Sequence, residues 1–145
     1  MELTELIRSA WGWTGIDPTE VVGENDFGNL IVRDARDRYW RICPEDLYCK
    51  LVANDRAELD TMSKDQEFLR DWYMSTLVDA AKKRIGPLSP GRKYCLKIPA
   101  VLGGEYSGDN VTSMALAELI AVSGDISRQI DGLPEGSHIR LCVEK

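Results

Sequence analysis

The chain has 145 residues, 43% hydrophobic and 29% charged, with a formal net charge of −6. That length fits one compact domain able to bury a core without staples, and no apolar run approaches the roughly 20 residues a bilayer span needs. The composition is that of an ordinary globular protein, and its acidity disfavours direct binding to phosphate backbones.

The charge is unevenly distributed. Between Asp17 and Asp71 lie 14 acidic and 8 basic residues, while the remainder holds 10 of each, so the whole excess belongs to the first half. Such a surface either aids solubility or attracts a basic partner and speeds the encounter. The N-terminus, Met-Glu-Leu-Thr-Glu-Leu-Ile, is acidic and amphipathic, a poor signal peptide, so a cytoplasmic address is expected.

From Glu2 to Ala10 the spacing of Leu3, Leu6, Ile7 and Ala10 predicts a short amphipathic helix, broken at Trp11-Gly-Trp13. From Glu20 the period changes to short alternating or apolar runs: 20–22, 29–33, 39–42 and 47–52. Turn residues at 25–28, 34–37 and 43–46 separate them, which predicts an antiparallel meander. Asn54 can cap a short helix through Met62, and Ser63-Lys-Asp-Gln66 has the form of a capping box. The next helix carries Phe68, Trp72, Leu77, Val78 and Ala81, with Lys82-Lys-Arg84 in its last turn and Gly86-Pro87 as its stop. The basic triplet suits a helix C-terminus; the other reading is a phosphate contact.

Strand character returns at Lys93–Ile98 and ends at Pro99, and Val111–Met114 reads as another strand. Ala115–Ile130 reads as a helix with Gly124 as a weak point, and Pro134 and Gly136 turn the chain into a last strand, His138–Val143. The resulting architecture is α+β, a mixed, mostly antiparallel sheet covered by helices in a single domain, residues 1–145.

Four cysteines, Cys43, Cys49, Cys95 and Cys142, show no C-x-x-C spacing. Cys43 and Cys49 flank a turn and could meet across a hairpin; without a secretory signal, four reduced thiols are expected instead. The only histidine, His138, has no paired ligand at metal spacing, so neither a metal nor any other cofactor is expected. Gly103-Gly104 is followed by Glu105, which would repel a phosphate. The glycines are therefore read as a tight turn with positive φ, from which Tyr106 packs back on the sheet. The carboxylate pairs Asp34/Asp37 and Glu45/Asp46 fall in expected exposed turns, where both members are simply ionised and unsuited to acid–base chemistry. Of Tyr39 and Trp40, adjacent on one strand, one should face inward and the other outward as an interface anchor.

The run Lys97-Ile-Pro-Ala-Val-Leu-Gly-Gly-Glu-Tyr106, with Asn110 and Asp131-Gly-Leu-Pro-Glu-Gly136, resembles the C-terminal domain of type VI secretion immunity proteins, best known as antidotes to DNase effectors. Gly12-Trp13, Phe27-Gly-Asn-Leu-Ile-Val-Arg-Asp34 and Asp71-Trp-Tyr73 extend the likeness over most of the chain. Histidines that such proteins often carry in the C-terminal helix are missing around Ala117, Ala121 and Arg128, so no role of theirs carries over. The resemblance implies a non-enzymatic protein that binds a toxin in the cytoplasm, touching neither nucleic acid nor membrane. Gly103, Gly104, Tyr106, Pro134 and Gly136 would be its structural motif. Asp34, Asp37, Tyr39, Trp40, Glu45 and Asp46 are the expected contacts to a toxin with a basic cleft, a nuclease or nucleotide-using enzyme. The alternative is a hydrolase of the same fold that reverses toxin damage.

Overall fold

A computed structural model describes residues 2–133. Pro134, Gly136, His138, Cys142 and the expected strand His138–Val143 lie outside the described residues.

Helix α1, Leu3–Trp11, buries Ile7 and Trp11 completely, one helical turn apart on a single face. It runs through the expected break at Trp11 and tightens into a 3-10 turn, Gly12–Thr14, that Gly15 ends at φ +98°. Four strands follow: β1 Pro18–Glu24, β2 Leu30–Asp34, β3 Tyr39–Cys43 and β4 Tyr48–Ala53. They form an antiparallel meander in the order β1-β2-β3-β4, with Val32 opposite Trp40 and Ile31 opposite Arg41.

Both faces of this sheet are covered. Leu30, Val32 and Ile42 pack with Ile7, Trp11, Ile16 and Ile120 on one side. Ile31, Tyr39 and Ala53 pack with Leu59 and Trp72 on the other. This double covering overturns the expectation for β3. Tyr39 is buried beneath the helices of one layer, and Trp40 packs against the opposite layer, so neither is a free anchor.

Helix α2, Arg56–Met62, is capped by Asp55, whose carboxylate accepts from the Glu58 N–H at 2.8 Å. The Asn54 N–H donates back to Glu58 Oε2 at 2.7 Å, so the cap lies one residue past Asn54. Helix α3, Gln66–Tyr73, is likewise capped by Asp65 rather than Ser63, whose hydroxyl donates to the Leu59 carbonyl at the end of α2. The single helix expected over Phe68–Ala81 is two: Met74, at φ +49°, separates α3 from α4, Ser75–Ile85. Arg84, in the last turn of α4, pairs with Asp109 at 3.3 Å.

Strands β5, Arg92–Leu96, and β6, Val111–Ala115, form a separate antiparallel pair. Tyr94, Leu96 and Val111 pack there with Phe27 and with Leu77, Val78 and Ala81 of α4. Helix α5, Leu116–Ile130, binds these parts together. It lies so close to α1 that a Cβ on Gly124 would stand 2.5 Å from the Ala10 carbonyl oxygen, and the Ser127 hydroxyl donates to the Leu47 carbonyl at 2.8 Å. The fold is α+β, and the strands among the described residues are divided between two antiparallel sheets.

Candidate functional site

The two acidic turns are built quite differently from solvated loops. In the β2–β3 turn Asp34 is only 2% exposed. Its carboxylate accepts from the Arg36 and Arg38 N–H groups at 2.9 and 2.8 Å, from Arg38 Nε at 2.9 Å and from Trp40 Nε1 at 2.8 Å. Burial alone would push this carboxyl up. The donors of Trp40, Arg38 and Arg36 outweigh it and hold the group below its ordinary range. Asp34 is therefore a turn organiser and not the exposed contact expected of it. Asp37 is exposed at φ +60° and pairs with Arg33 at 2.7 Å, while Arg33 also reaches Glu20 at 3.0 Å.

The β3–β4 turn is a 3-10 turn, Pro44–Asp46, closed by Leu47 at φ +53°. Glu45, also expected to be exposed, is 4% exposed and accepts from Asn29 Nδ2 at 3.0 and 2.8 Å. Burial pushes its carboxyl up; the Asn29 amide and the nearby Arg41 charge counter that only in part. Asn29 Oδ1 accepts in turn from Arg41 Nε at 3.0 Å, and Arg41 Nη1 donates to Asp71 Oδ2 at 2.5 Å. The Arg41 guanidinium also lies 5.2 Å from the Trp72 ring centre. Asn25 donates to the Trp72 carbonyl at 2.8 Å and accepts from the Phe27 and Asn29 N–H groups. A buried polar network thus ties the sheet to α3, as buried polar groups require. The acidic turns sit at opposite ends of β3, about 17 Å apart for a five-residue strand, so they do not form one patch.

Beside the second turn lies a cleft of about 720 Å³. Its walls include Arg41, Asp46, Tyr48, Asp71, Tyr73 and Tyr106, from the sheet, the α3–α4 junction and the glycine loop. That loop is tightly built. Gly103 takes φ +95°, and a Cβ on Gly104 would fall 1.7 Å from the Ile98 carbonyl oxygen. Asn110 clamps the loop: its Nδ2 donates to the Ile98 and Glu105 carbonyls at 2.9 and 3.0 Å, and its Oδ1 accepts from the Ile98 N–H at 3.0 Å.

Tyr106 does not pack back on the sheet. It crosses to the β3–β4 turn, where its hydroxyl donates to Asp46 Oδ1 at 2.5 Å and its ring stays half exposed. A phenol needs an acceptor when its tip is covered, and the Asp46 carboxylate supplies one. Burial of that tip, then Asp46 itself, push the phenol above its ordinary range and keep it a donor.

Cys43, Cys49 and Cys95 are free thiols. Strand alternation puts Cys43 and Cys49 on opposite faces of the sheet, since Cys49 stands opposite Ile42 and Cys43 opposite Tyr48. Burial pushes Cys49 and Cys95 up to about 11, so both stay protonated at neutral pH. Among the described residues, no cluster of three His, Cys, Asp or Glu side chains could hold a metal ion, and no helix is long and apolar enough to cross a membrane.

Sequence reasoning missed Asn25, Asn29, Arg41 and Asp71. An arginine between Trp40 and Ile42 on a strand otherwise buried was the available signal, since such a charge must find a partner in space.

The architecture is shared with the crystal structure of Atu4351 from Agrobacterium tumefaciens, at a TM-score of 0.55 and 12% identity. The superposition covers 83% of this chain and 62% of that one, so this chain spans less than two thirds of its length. At this identity the likeness concerns the fold alone. No curated protein matches the chain. The family model described as T6SS immunity protein Tdi1, C-terminal, matches residues 53–127, from the end of β4 into the last turn of α5. The chain belongs to this family of type VI secretion immunity proteins. The match takes in the whole glycine loop and the α3–α4 wall of the cleft, but not β1–β3 or the D-x-L-P-x-G ending.

Proposed function

We propose that this protein binds a cognate toxic effector in the cytoplasm and silences it by stoichiometric protein–protein inhibition, without catalysis of its own. Membership of the immunity family carries this reading. The open cleft beside the glycine loop supports it, as does the acidic excess of the first half, which suits a toxin with a basic active-site cleft such as a nuclease or nucleotide-using enzyme. Silencing a toxin present in few copies needs nanomolar affinity or better, roughly 12 kcal/mol.

The test is co-expression with a cognate toxin, sought among the genes adjacent to that for this chain. Growth should be rescued only when the immunity chain is at least equimolar, and the two should co-purify as a defined complex. Rescue at clearly substoichiometric amounts, or without a complex, overturns this reading in favour of a hydrolase that reverses the damage.

A further inference from the structure

We propose that the effector docks on this cleft at Tyr73 and Tyr106, and on the exposed Ile98 and Val101 of the loop that bears Tyr106, and sets a lysine or arginine side chain against the Asp46 carboxylate. The inference rests on the immunity reading and adds to it the place and chemistry of contact.

Three observations carry it. First, Tyr73, Ile98, Val101 and Tyr106 are all large and more than half exposed, and three of them stand on one ten-residue stretch of loop. The loop is pinned by Asn110 and by the close approach at Gly104, so its apolar side chains are held out on a rigid support. A pre-organised apolar patch is what a protein partner binds at low entropic cost.

Second, two of the three non-glycine residues at positive φ among the described residues adjoin residues of the cleft, the third being Asp37 in the β2–β3 turn. Leu47 follows the turn that bears Asp46, and Met74 follows Tyr73; both are non-glycine residues held at positive φ, 53° and 49°. Such conformations cost energy and persist where the surroundings impose them, often at sites that bind.

Third, the charges of the cleft are committed unequally. Arg41 is engaged by Asp71 and Asn29, and Glu45 by Asn29. Arg70, exposed on α3, also lines the cleft. Asp46 has as described partners only the Tyr106 hydroxyl and a long 3.9 Å contact from Cys43 Sγ, both neutral donors. A carboxylate held beside an exposed tyrosine ring, with no cation paired to it among the described residues, is complementary to an incoming ammonium or guanidinium.

The cognate toxin identified by that co-expression, purified with its catalytic residue disabled, is titrated calorimetrically with the full immunity chain and its variants. Ile98→Asp/Val101→Asp and Asp46→Lys should each weaken binding by about 30-fold or more. The first leaves the melting temperature of the free chain unchanged, whereas the second lowers it modestly, since the Tyr106 hydroxyl loses its acceptor. Asp46→Asn should show a smaller loss in the same direction, and Asp60→Lys, on exposed α2, should stay within about 3-fold. Amide exchange should be slowed in the complex at residues 97–106 and 73–76. Wild-type affinity in the Ile98/Val101 and Asp46 variants, or protection confined to other elements, overturns the surface while leaving the immunity reading intact. Loss of binding in Arg70→Glu but not in Asp46→Lys overturns the cationic occupant. No complex with the wild-type chain overturns the immunity reading, and this inference with it.

Discussion

Gly103 and Gly104 stand side by side but answer to different physics. Gly103 has open space where a Cβ would go and needs only its positive φ, so Gly103→Ala should cost about 1–2 kcal/mol. Gly104 leaves no room beside the Ile98 carbonyl, and a methyl there must displace the loop and its Asn110 clamp. Gly104→Ala should therefore cost on the order of 3 kcal/mol or more in urea denaturation; equal losses at the two positions would show that the loop relaxes freely. The buried carboxyls make a second prediction, with opposite signs. Asp34 titrates below its ordinary 3.8 in the folded chain, so its stabilisation is present above that pH and is lost as pH falls through the folded value. Glu45 is raised above its ordinary 4.5, so its contribution is full below that pH and declines as pH rises through the folded value. Urea midpoints taken from pH 2.5 to 8 should show Asp34→Asn removing part of the acid loss and Glu45→Gln removing part of the decline at higher pH. At neutral pH, Asp34→Asn should also cost about 1–3 kcal/mol, because an amide N–H₂ cannot accept from both Arg38 and Trp40.

At the scale of elements, the contact between α1 and α5 decides the sign of one substitution. Helix propensity alone makes Gly124→Ala stabilising by about 1 kcal/mol. The Ala10 carbonyl and Cβ, at 2.5 and 2.8 Å from the added atom, make it an overpacking change that should cost about 1–3 kcal/mol. A rise in melting temperature would show that α1 shifts away without loss. The helix starts give a paired prediction: Asp65→Ala should lose about 1 kcal/mol by uncapping α3, whereas Ser63→Ala, at the end of α2, should change stability by less than about 0.5 kcal/mol.

For the whole molecule, the acidic excess is a long-range property, and burial decides which charges can express it. Lysine at Glu45 would bury an ammonium against Asn29 and Arg41, so that substitution should impair folding and not report on binding. The informative reversals are Asp37→Lys and Asp46→Lys, at opposite ends of β3. With the cognate toxin, Asp37→Lys should slow association by a few-fold and leave dissociation unchanged, whereas Asp46→Lys should also speed dissociation. The wild-type association rate should fall as salt rises; a rate flat from about 50 to 500 mM would remove the electrostatic part of the reading.

The periodicities of the chain determined its elements. The short apolar runs 29–33 and 39–42, the turn residues between them and the spacing of Ile7 and Trp11 are local signals, and the strands and the first helix follow them. The L-G-G-E-Y run likewise marked the family without any knowledge of the fold. Tertiary structure decided what the local signals do not encode. A carboxylate in a turn looks the same whether solvated or buried, and Glu45 is buried because Asn29, 16 residues away, offers it an amide. Tyr39 and Trp40 are both engaged because helices from distant parts of the chain cover both faces of the sheet. Met74 splits one predicted helix into two, and that break places Tyr73 across the cleft from Tyr106. Each of these depends on partners far apart in sequence, whose approach is set by packing and by the need to satisfy every buried polar group.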